Sequence, residues 1–406
     1  MTTITKRGLS PMPIREEKRN LETIPVGSLG IIALESCKDL SEKIDKYLVK
    51  WRTERENEHK DSLAFSGYQR PSYLLRTKVP RFGSGEAKGV INESVRGTDL
   101  YLLVDVCNYS LTYSLCGHEN HMSPDDHYQD LKRIIAAVGG KARRITVIMP
   151  FLYESRQHKR SSRESLDCAL ALQELKNMGV DNIITFDAHD PRVQNAIPMS
   201  GFESIQPTYQ FIKALFRSVD DLIIDNEHMM MISPDEGAMT RVVYYANVLG
   251  IDMGMFYKRR DYSRVVDGRN PIVAHEFLGS SVEGKDVVIV DDMISSGESM
   301  LDTARELKRR KAKRVFVIST FGLFTNGLEI FDKAYEEGTI SKILTTNCIY
   351  QPAELLEKPY YVNVDMSKYV ALLIDSLNHD HSISDLLDPS DKIHKLLVDY
   401  NNKHNR

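Results

Sequence analysis

Two adjacent carboxylates, Asp291 and Asp292, close the apolar run Val287-Val288-Ile289-Val290, and Met293-Ile294 then leads into Ser295-Ser296-Gly297-Glu298-Ser299. The apolar, β-branched run has the composition of a buried strand. Past the small residues, Met300, Leu301, Ala304 and Leu307 recur on one helical face, while Arg305, Lys308 and Arg309 fall away from it. A strand, a turn of small residues and a helix N-terminus together cradle an anion. The first N–H groups of a helix have no partner within it, and the helix dipole favours negative charge there. The two carboxylates add acceptors for sugar hydroxyls or for a hydrated Mg2+. The unit therefore reads as a site for a ribose phosphate. The plainer alternative is that acids merely end a strand while Ser and Gly merely cap a helix. Spacing alone leaves both open.

Four further clusters carry chemistry. Arg156, His158, Lys159, Arg160 and Arg163 follow the strand end at Pro150, with Gln157 among them. Arginine forks match phosphate oxygens, so this loop suits a polyphosphate clamp as well as it suits a solvated surface. Asp187-Ala188-His189-Asp190 sets a histidine between acids at another strand end, able to hold a metal-bound phosphate or simply to form a hydrogen-bonded turn. Ser233-Pro234-Asp235-Glu236-Gly237 opens a helix with two acids and small residues, which suits a cation or an anion. Tyr257-Lys258-Arg259-Arg260-Asp261-Tyr262-Ser263-Arg264 follows the apolar strand Ile251–Phe256 and precedes a polar stretch. It is expected as a mobile loop that brings positive charge to a substrate.

The elements that position these clusters alternate between strand and helix patterns. Asp99–Asp105 resembles Asp286–Asp291, and Lys141–Phe151 resembles Lys311–Phe321, each pair in the order strand, helix, basic turn, strand. Two copies of one α/β unit explain the echo. Further strands are predicted at Asn182–Phe186, Asp221–Ile224, Met230–Ser233 and Ile343–Thr346, with helices at Ser165–Met178 and Gly237–Leu249. Such alternation favours parallel sheets with ligands at the carboxyl ends of the strands. Residues 1–75 read as an N-terminal extension with one amphipathic helix bearing Leu40, Ile44, Tyr47, Leu48 and Trp51.

A length of 406 residues accommodates two domains plus extensions. With 53 basic against 57 acidic residues, no nucleic-acid-binding surface is expected. The five cysteines are odd in number and lack metal or redox spacing, which fits a reducing compartment. Cys116, His118, His121 and His127 are too irregularly spaced for a zinc site, so a polar surface loop is expected there. No apolar run is long enough to span a membrane, and the polar N-terminus is no signal peptide. The expectation is a cytoplasmic protein.

In this order and spacing, from about Lys78 to Leu387, the clusters resemble the ribose-phosphate pyrophosphokinase family, of the type I phosphoribosyltransferase fold. Arg81-Phe82-Gly83-Ser84-Gly85-Glu86 resembles the family's adenine-contacting turn, and Glu93-Ser94-Val95-Arg96-Gly97 its following motif. Arg156-Gln157, Asp187 with His189, Ser233-Pro234-Asp235, Lys258-Arg259-Arg260 and Ser382-Ile383-Ser384 match in turn. The resemblance implies two tandem phosphoribosyltransferase-like domains, each a mostly parallel sheet flanked by helices. The ATP-side domain would span 76–208, the ribose-5-phosphate side 209–365, and a helical segment 366–406. It implies transfer of the pyrophosphoryl group of Mg-ATP to ribose 5-phosphate by a homo-oligomer, hexameric or built of dimers.

Phe82, Ser84, Glu86, Arg156 and Gln157 would bind ATP. Asp291, Asp292 and Ser295 to Ser299, including Ser296, Gly297 and Glu298, would bind ribose 5-phosphate. His189, Asp235, Asp291 and Asp292 would hold Mg2+. Lys258, Arg260 and His189 would act in catalysis. Ser94, Arg96, Arg163, Ser382 and Ser384 resemble an allosteric anion site that the family places between subunits. Ser295 stands where the family has Asp, Glu298 where Gly is common, Ser84 where an Asp or Asn contacts adenine, and His158 where Asp follows Arg-Gln. These departures keep two alternatives open: a non-catalytic paralogue that binds nucleotide and assembles with an active enzyme, and a nucleobase phosphoribosyltransferase.

Overall fold

The computed structural model describes residues 24–55, 67–260 and 272–404, with the side chains of 258–260 and 272–275 left aside. The first sheet holds strands β1 (Ser28–Ala33), β4 (Thr98–Leu103), β7 (Arg144–Ile148), β8 (Asn182–Phe186) and β9 (Gly201–Ile205), all parallel and in that spatial order. Two small antiparallel pairs stand beside it: β2 (Thr77–Lys78) with β3 (Val90–Ile91), and β5 (Thr112–Leu115) with β6 (His118–His121). The second sheet runs in the order β12, β11, β10, β13, β14, β15, β16. These strands are β10 (Met229–Ser233), β11 (Met253–Arg260), β12 (Ile272–Leu278), β13 (Asp286–Ile294), β14 (Arg314–Gly322), β15 (Lys342–Thr346) and β16 (Tyr361–Val364). Only the β11–β12 pairing is antiparallel. Two sheets of this kind, one following the other, match the predicted tandem α/β architecture.

The helices used below are α1 (Lys38–Arg55), α2 (Pro124–Val138), α3 (Asp167–Asn177), α4 (Thr208–Ser218), α5 (Met239–Leu249), α6 (Glu298–Arg309), α7 (Glu329–Glu336), α8 (Ala353–Leu356), α9 (Ser367–Asn378), α10 (Ser384–Leu387) and α11 (Ser390–Lys403). None is long and apolar enough to cross a membrane.

The strand pleat explains why β13 is a continuous apolar run rather than an alternating one. Val288 and Val290 face the core that runs into the first sheet, and Val287 and Ile289 face the smaller core under α6. Both faces are covered by protein, so both must be apolar. The same division holds for Phe316 and Ile318 against Val315 and Val317 in β14. Met300, Leu301, Ala304 and Leu307 of α6 are the buried face that the spacing predicts.

Three expectations change. The segment 1–75 is not wholly an appendage, because its residues 28–33 form β1 and pair residue by residue with β4. α1 packs along α9, where buried Arg52 and the Arg55 guanidinium (2.6 Å) both meet Asp375. Asp221–Ile224 is not a strand; buried Leu222 donates its N–H to Tyr400 Oη at 3.2 Å, so a helix rather than a neighbouring strand pins it. The basic run Lys258–Arg260 is not loop at its start but the end of β11, with Lys258 opposite His275 in the ladder. The rest of that run, through Arg264, lies outside the described residues.

Candidate active site

Carboxyl ends of strands from both sheets meet at a cavity of about 1100 Å3. His158, Lys159, His189 and Asp190 line it from the first domain, and Asp235, Arg241, Asp291 and Asp292 from the second. His189, Asp190 and Asp235 arrive there by the rule for parallel sheets, just past a strand end, while Asp291 and Asp292 lie in the last residues of β13 and Arg241 in α5.

His189 follows β8, and Asp292 lies near the carboxyl end of β13. The imidazole Nδ1 stands 2.6 Å from Asp292 Oδ2, joining the two domains across the cavity. That hydrogen bond raises the pKa of His189 above the usual histidine value despite partial burial. Burial alone would raise the pKa of Asp292, but the His189 contact and the Arg241 charge hold it below the usual carboxylate range. Its neighbour Asp291 has no such partner. Burial and the adjacent Asp292 charge push its pKa well up. Two adjacent acids thus sit in opposite protonation tendencies, set by which of them meets the histidine.

Asp187 anchors this junction. It is 1% exposed and accepts hydrogen bonds from Arg241 Nε at 2.8 Å and Thr320 Oγ1 at 2.6 Å. Its φ of 42° is left-handed, a conformation an Asp tolerates better than most residues. Arg241 is held charged in this partly desolvated place by Asp187, Asp292 and Asp291.

His189, Asp235, Asp291 and Asp292, the residues expected to hold Mg2+, all line this cavity. Among the described residues no three His, Cys, Asp or Glu side chains converge as a metal cluster. His189 spends Nδ1 on Asp292, and Asp235 spends Oδ1 on the N–H groups of Gly237 and Ala238, opening α5.

The anion cradle after β13 has the predicted local form. Gly297 caps α6 at φ 88°, and a Cβ there would stand 2.0 Å from Phe331 Cζ, so only glycine fits. Ser295 and Ser296 are half-buried, while Glu298 and Ser299 are exposed. This turn adjoins the cavity without lining it. Arg156 is exposed and pairs with no carboxylate among the described residues, and its charge reaches His189. Gln157 is turned to its own loop, donating to Ser165 O at 2.8 Å.

Phe82, Ser84 and Glu86 sit on a separate turn outside the cavity. Phe82 is 53% exposed, and Ser84 Oγ donates to Glu86 Oε2 at 2.9 Å. The hairpin β5–β6 braces that turn through Cys116 N to Gly83 O at 2.8 Å and through Arg81 over the Tyr113 ring. The expected polar loop is therefore a structured support. Lys258 and Arg260 have their backbone in β11, with side chains outside the described set.

Ser94 and Arg96 precede β4 at its amino end, and Arg163 lies in the segment between β7 and α3. Ser382 and Ser384 hydrogen-bond one another at 2.9 Å, on the chain just past α9.

Sequence reasoning gave Arg241 no role, although it is the one charged residue in the helix Met239–Leu249. A single arginine in an apolar helix beside strand-end acids was a signal of burial against a carboxylate. Tyr257 and Tyr244, which also line the cavity, carried no such mark.

Residues 29–179 match the family model of the N-terminal domain of ribose phosphate pyrophosphokinase, and residues 200–347 match that of the phosphoribosyl transferase domain. A ribose-phosphate pyrophosphokinase of Vibrio cholerae is 29% identical over 312 residues, covering 75% of this chain and 89% of that one. One of Buchnera aphidicola is 27% identical over 314 residues, covering 77% and 90%. The crystal structure of phosphoribosylpyrophosphate synthetase from Mycobacterium smegmatis shares the fold, with a TM-score of 0.65 at 20% identity over 87% of this chain and 99% of that chain.

Proposed function

The chain belongs to the ribose-phosphate pyrophosphokinase family, and from that premise we propose that it transfers the pyrophosphoryl group of Mg-ATP to the anomeric hydroxyl of ribose 5-phosphate. A bond forms between the anomeric oxygen and the β-phosphorus, the α–β bridging bond breaks, and PRPP and AMP result. Such a transfer asks for in-line placement and charge neutralisation more than for covalent help from the protein.

The observation that carries the reading is the 2.6 Å contact between His189, on the ATP-side domain, and Asp292, on the sugar side. It brings one residue expected of each half-site to the lining of a single cavity of about 1100 Å3, which supports a shared site. Asp291, half-buried and inclined to keep its proton, is suited to hydrogen-bond ribose hydroxyls. Ser295 to Ser299 would offer backbone N–H groups to the 5-phosphate. Glu298 is exposed, so its carboxylate does not oblige that turn to reject an anion. Arg156 and Gln157 would grip ATP phosphates, and Lys258 and Arg260 would neutralise charge developing on the transferring group.

Mg2+ commonly binds through one or two carboxylates together with substrate phosphates, and Asp235 and Asp291, whose proton the ion would displace, would be its protein partners. When bound, it would supply charge neutralisation on the polyphosphate. Phe82 lies outside the cavity. The adenine contact implied for it would then reach the cavity of a second copy, which makes the active form a homo-oligomer.

The test is AMP formation by the purified protein, dependent on ribose 5-phosphate, Mg2+ and ATP. Absence of turnover over a range of phosphate concentrations would overturn the proposal.

A further inference from the structure

The β5–β6 hairpin carries none of the motifs that imply the reaction. A lone two-stranded hairpin is marginal in water, so what it packs against shows what holds it. Along β5, Thr112 and Ser114 are exposed while Tyr113 and Leu115 are half-buried, the alternation of a strand with one covered face. That face meets the turn Phe82–Glu86. A Cβ on Gly85 would stand 2.7 Å from Leu115 Cδ1 and 3.6 Å from Tyr113 Cε2, and Gly85 has φ 89°, so a glycine lies flat against both side chains. The hairpin's loop, Cys116-Gly117, has positive φ at both residues, as a tight two-residue turn requires. Its Cys116 N–H donates to Gly83 O at 2.8 Å.

Helix α2 closes the frame. Arg81, just before the turn, donates to Asp130 at 2.8 Å and lies over the Tyr113 ring at 4.6 Å. Tyr113 Oη donates to Asp126 at 3.3 Å, and Asp126 caps α2 together with Ser123. The turn held in this way directs its chemistry outward. Phe82, Ser84 and Glu86 are exposed, and the Ser84 hydroxyl occupies only Oε2 of Glu86. An aromatic face beside an open carboxylate oxygen suits a planar base that carries an amino donor, as adenine does. A short turn with exposed side chains has little packing of its own to order it. Ordering a loose backbone on binding weakens affinity, and a turn ordered beforehand avoids that loss.

Resting on the reading of this turn as the adenine contact, we propose that the β5–β6 hairpin is a nucleotide-positioning element. Tyr113 and Leu115 hold the Phe82–Glu86 turn in its base-binding shape before ATP arrives. They set the affinity for the base end of the nucleotide and leave that for its phosphates alone. Both act through the turn, without touching the nucleotide.

The experiment is calorimetric titration of the full chain with Mg-ATP, without ribose 5-phosphate, and in parallel with Mg-tripolyphosphate, which has the phosphates and no base. L115A, Y113A and Y113F are compared with wild type. L115A and Y113A should bind ATP about tenfold more weakly and tripolyphosphate unchanged, while Y113F, which keeps the ring, should match wild type with both. Without ligand, the Phe82 and Gly85 amides, which donate within the turn, should exchange hydrogen faster in L115A and Y113A, with protection elsewhere kept. In turnover, KM for ATP should rise in these two variants while kcat holds. Circular dichroism verifies folding, and Y113A against Y113F carries the test if L115A does not fold. Unchanged ATP affinity in the alanine variants would overturn the proposal, as would equal weakening of tripolyphosphate. Wild type that holds ATP no more tightly than tripolyphosphate would overturn it as well. A smaller oligomeric mass for L115A and Y113A by light scattering would give the hairpin to subunit assembly instead. Wild type that binds as expected but forms no AMP would overturn the reaction, with the hairpin's part in nucleotide binding upheld by the same titrations.

Discussion

Gly297→Ala probes the turn proposed to cradle the sugar phosphate with a single methyl group. Two costs arise, and they are separable. The backbone there has φ 88°, where an L side chain costs about 1–2 kcal/mol. The added Cβ would meet Phe331 Cζ at 2.0 Å, and Phe331 is fully buried, so the ring cannot swing into solvent. Overpacking of this kind costs about 1–3 kcal/mol. The sum, about 2–5 kcal/mol, is a large share of the roughly 5–15 kcal/mol that holds a typical domain folded. Urea unfolding should show a lower midpoint with an unchanged slope. In the G297A/F331L double variant, the smaller side chain removes the clash but not the backbone strain. The double variant should therefore be less destabilised than the two single effects added, by about 1–3 kcal/mol. In activity assays, KM for ribose 5-phosphate should rise more than KM for ATP if the first turn of α6 holds the 5-phosphate as proposed. A wild-type midpoint for G297A, or strict additivity with F331L, would refute the packing argument.

Arg241→Met should destabilise the protein by about 3–5 kcal/mol in urea titration, because Asp187, 1% exposed, would lose its charge partner; a loss under about 1 kcal/mol would show the pair is dispensable. The His189–Asp292 contact sets a pH window, read by melting temperature without divalent cation. Its contribution should be fully present between the unperturbed values of 3.8 for Asp and 6.5 for His. It is lost as pH rises through the elevated pKa of His189, and lost as pH falls through the depressed pKa of Asp292. D292N should flatten both limbs, and an unchanged profile would remove the contact from the argument. Lys258→Ala should chiefly lower kcat and Asp291→Ala chiefly raise KM for ribose 5-phosphate; the reverse pattern would invert the roles assigned to them.

What could be read from the chain, and what could not, follows from how far each signal reaches. The α6 face and the strand ends before Asp187 and Asp235 are local patterns of period and composition, and the fold keeps them, whereas β13 continues through Asp291 and Asp292 to Ile294. β1 was missed because Ser28–Ala33 is a short run containing Gly30, buried on both faces, so it shows no alternation. Asp221–Ile224 misled for the converse reason, since an apolar loop anchored by buried Leu222 under a helix has the same composition as a strand. The pairings that make the site join residues distant in the chain: His189 with Asp292, 103 positions apart, and Arg241 with Asp187, 54 apart. Nothing in the local pattern around either partner specifies the other.

The ties between the domains constrain how the site can work. At the cavity they are held by Asp187 with Arg241 and Thr320, and by His189 with Asp292. Elsewhere the C-terminal helices return to the first domain, with Arg52 and Arg55 on Asp375, Arg144 donating to Leu377 O at 2.7 Å, and the Tyr350 N–H donating to Asp105 at 2.6 Å. Arg52, Asp375, Asp187 and Asp105 are all at most 2% exposed. Separating one member of a buried ion pair costs about 3–5 kcal/mol, and a rotation of one sheet against the other would disturb several ties together. Whole-domain closure is therefore an expensive route to enclosing a substrate. The cheaper adjustments lie in the side chains and turns that border the cavity without buried ties, such as Arg156 and the Ser295–Ser299 turn, and specificity for the sugar phosphate should respond most to substitutions there.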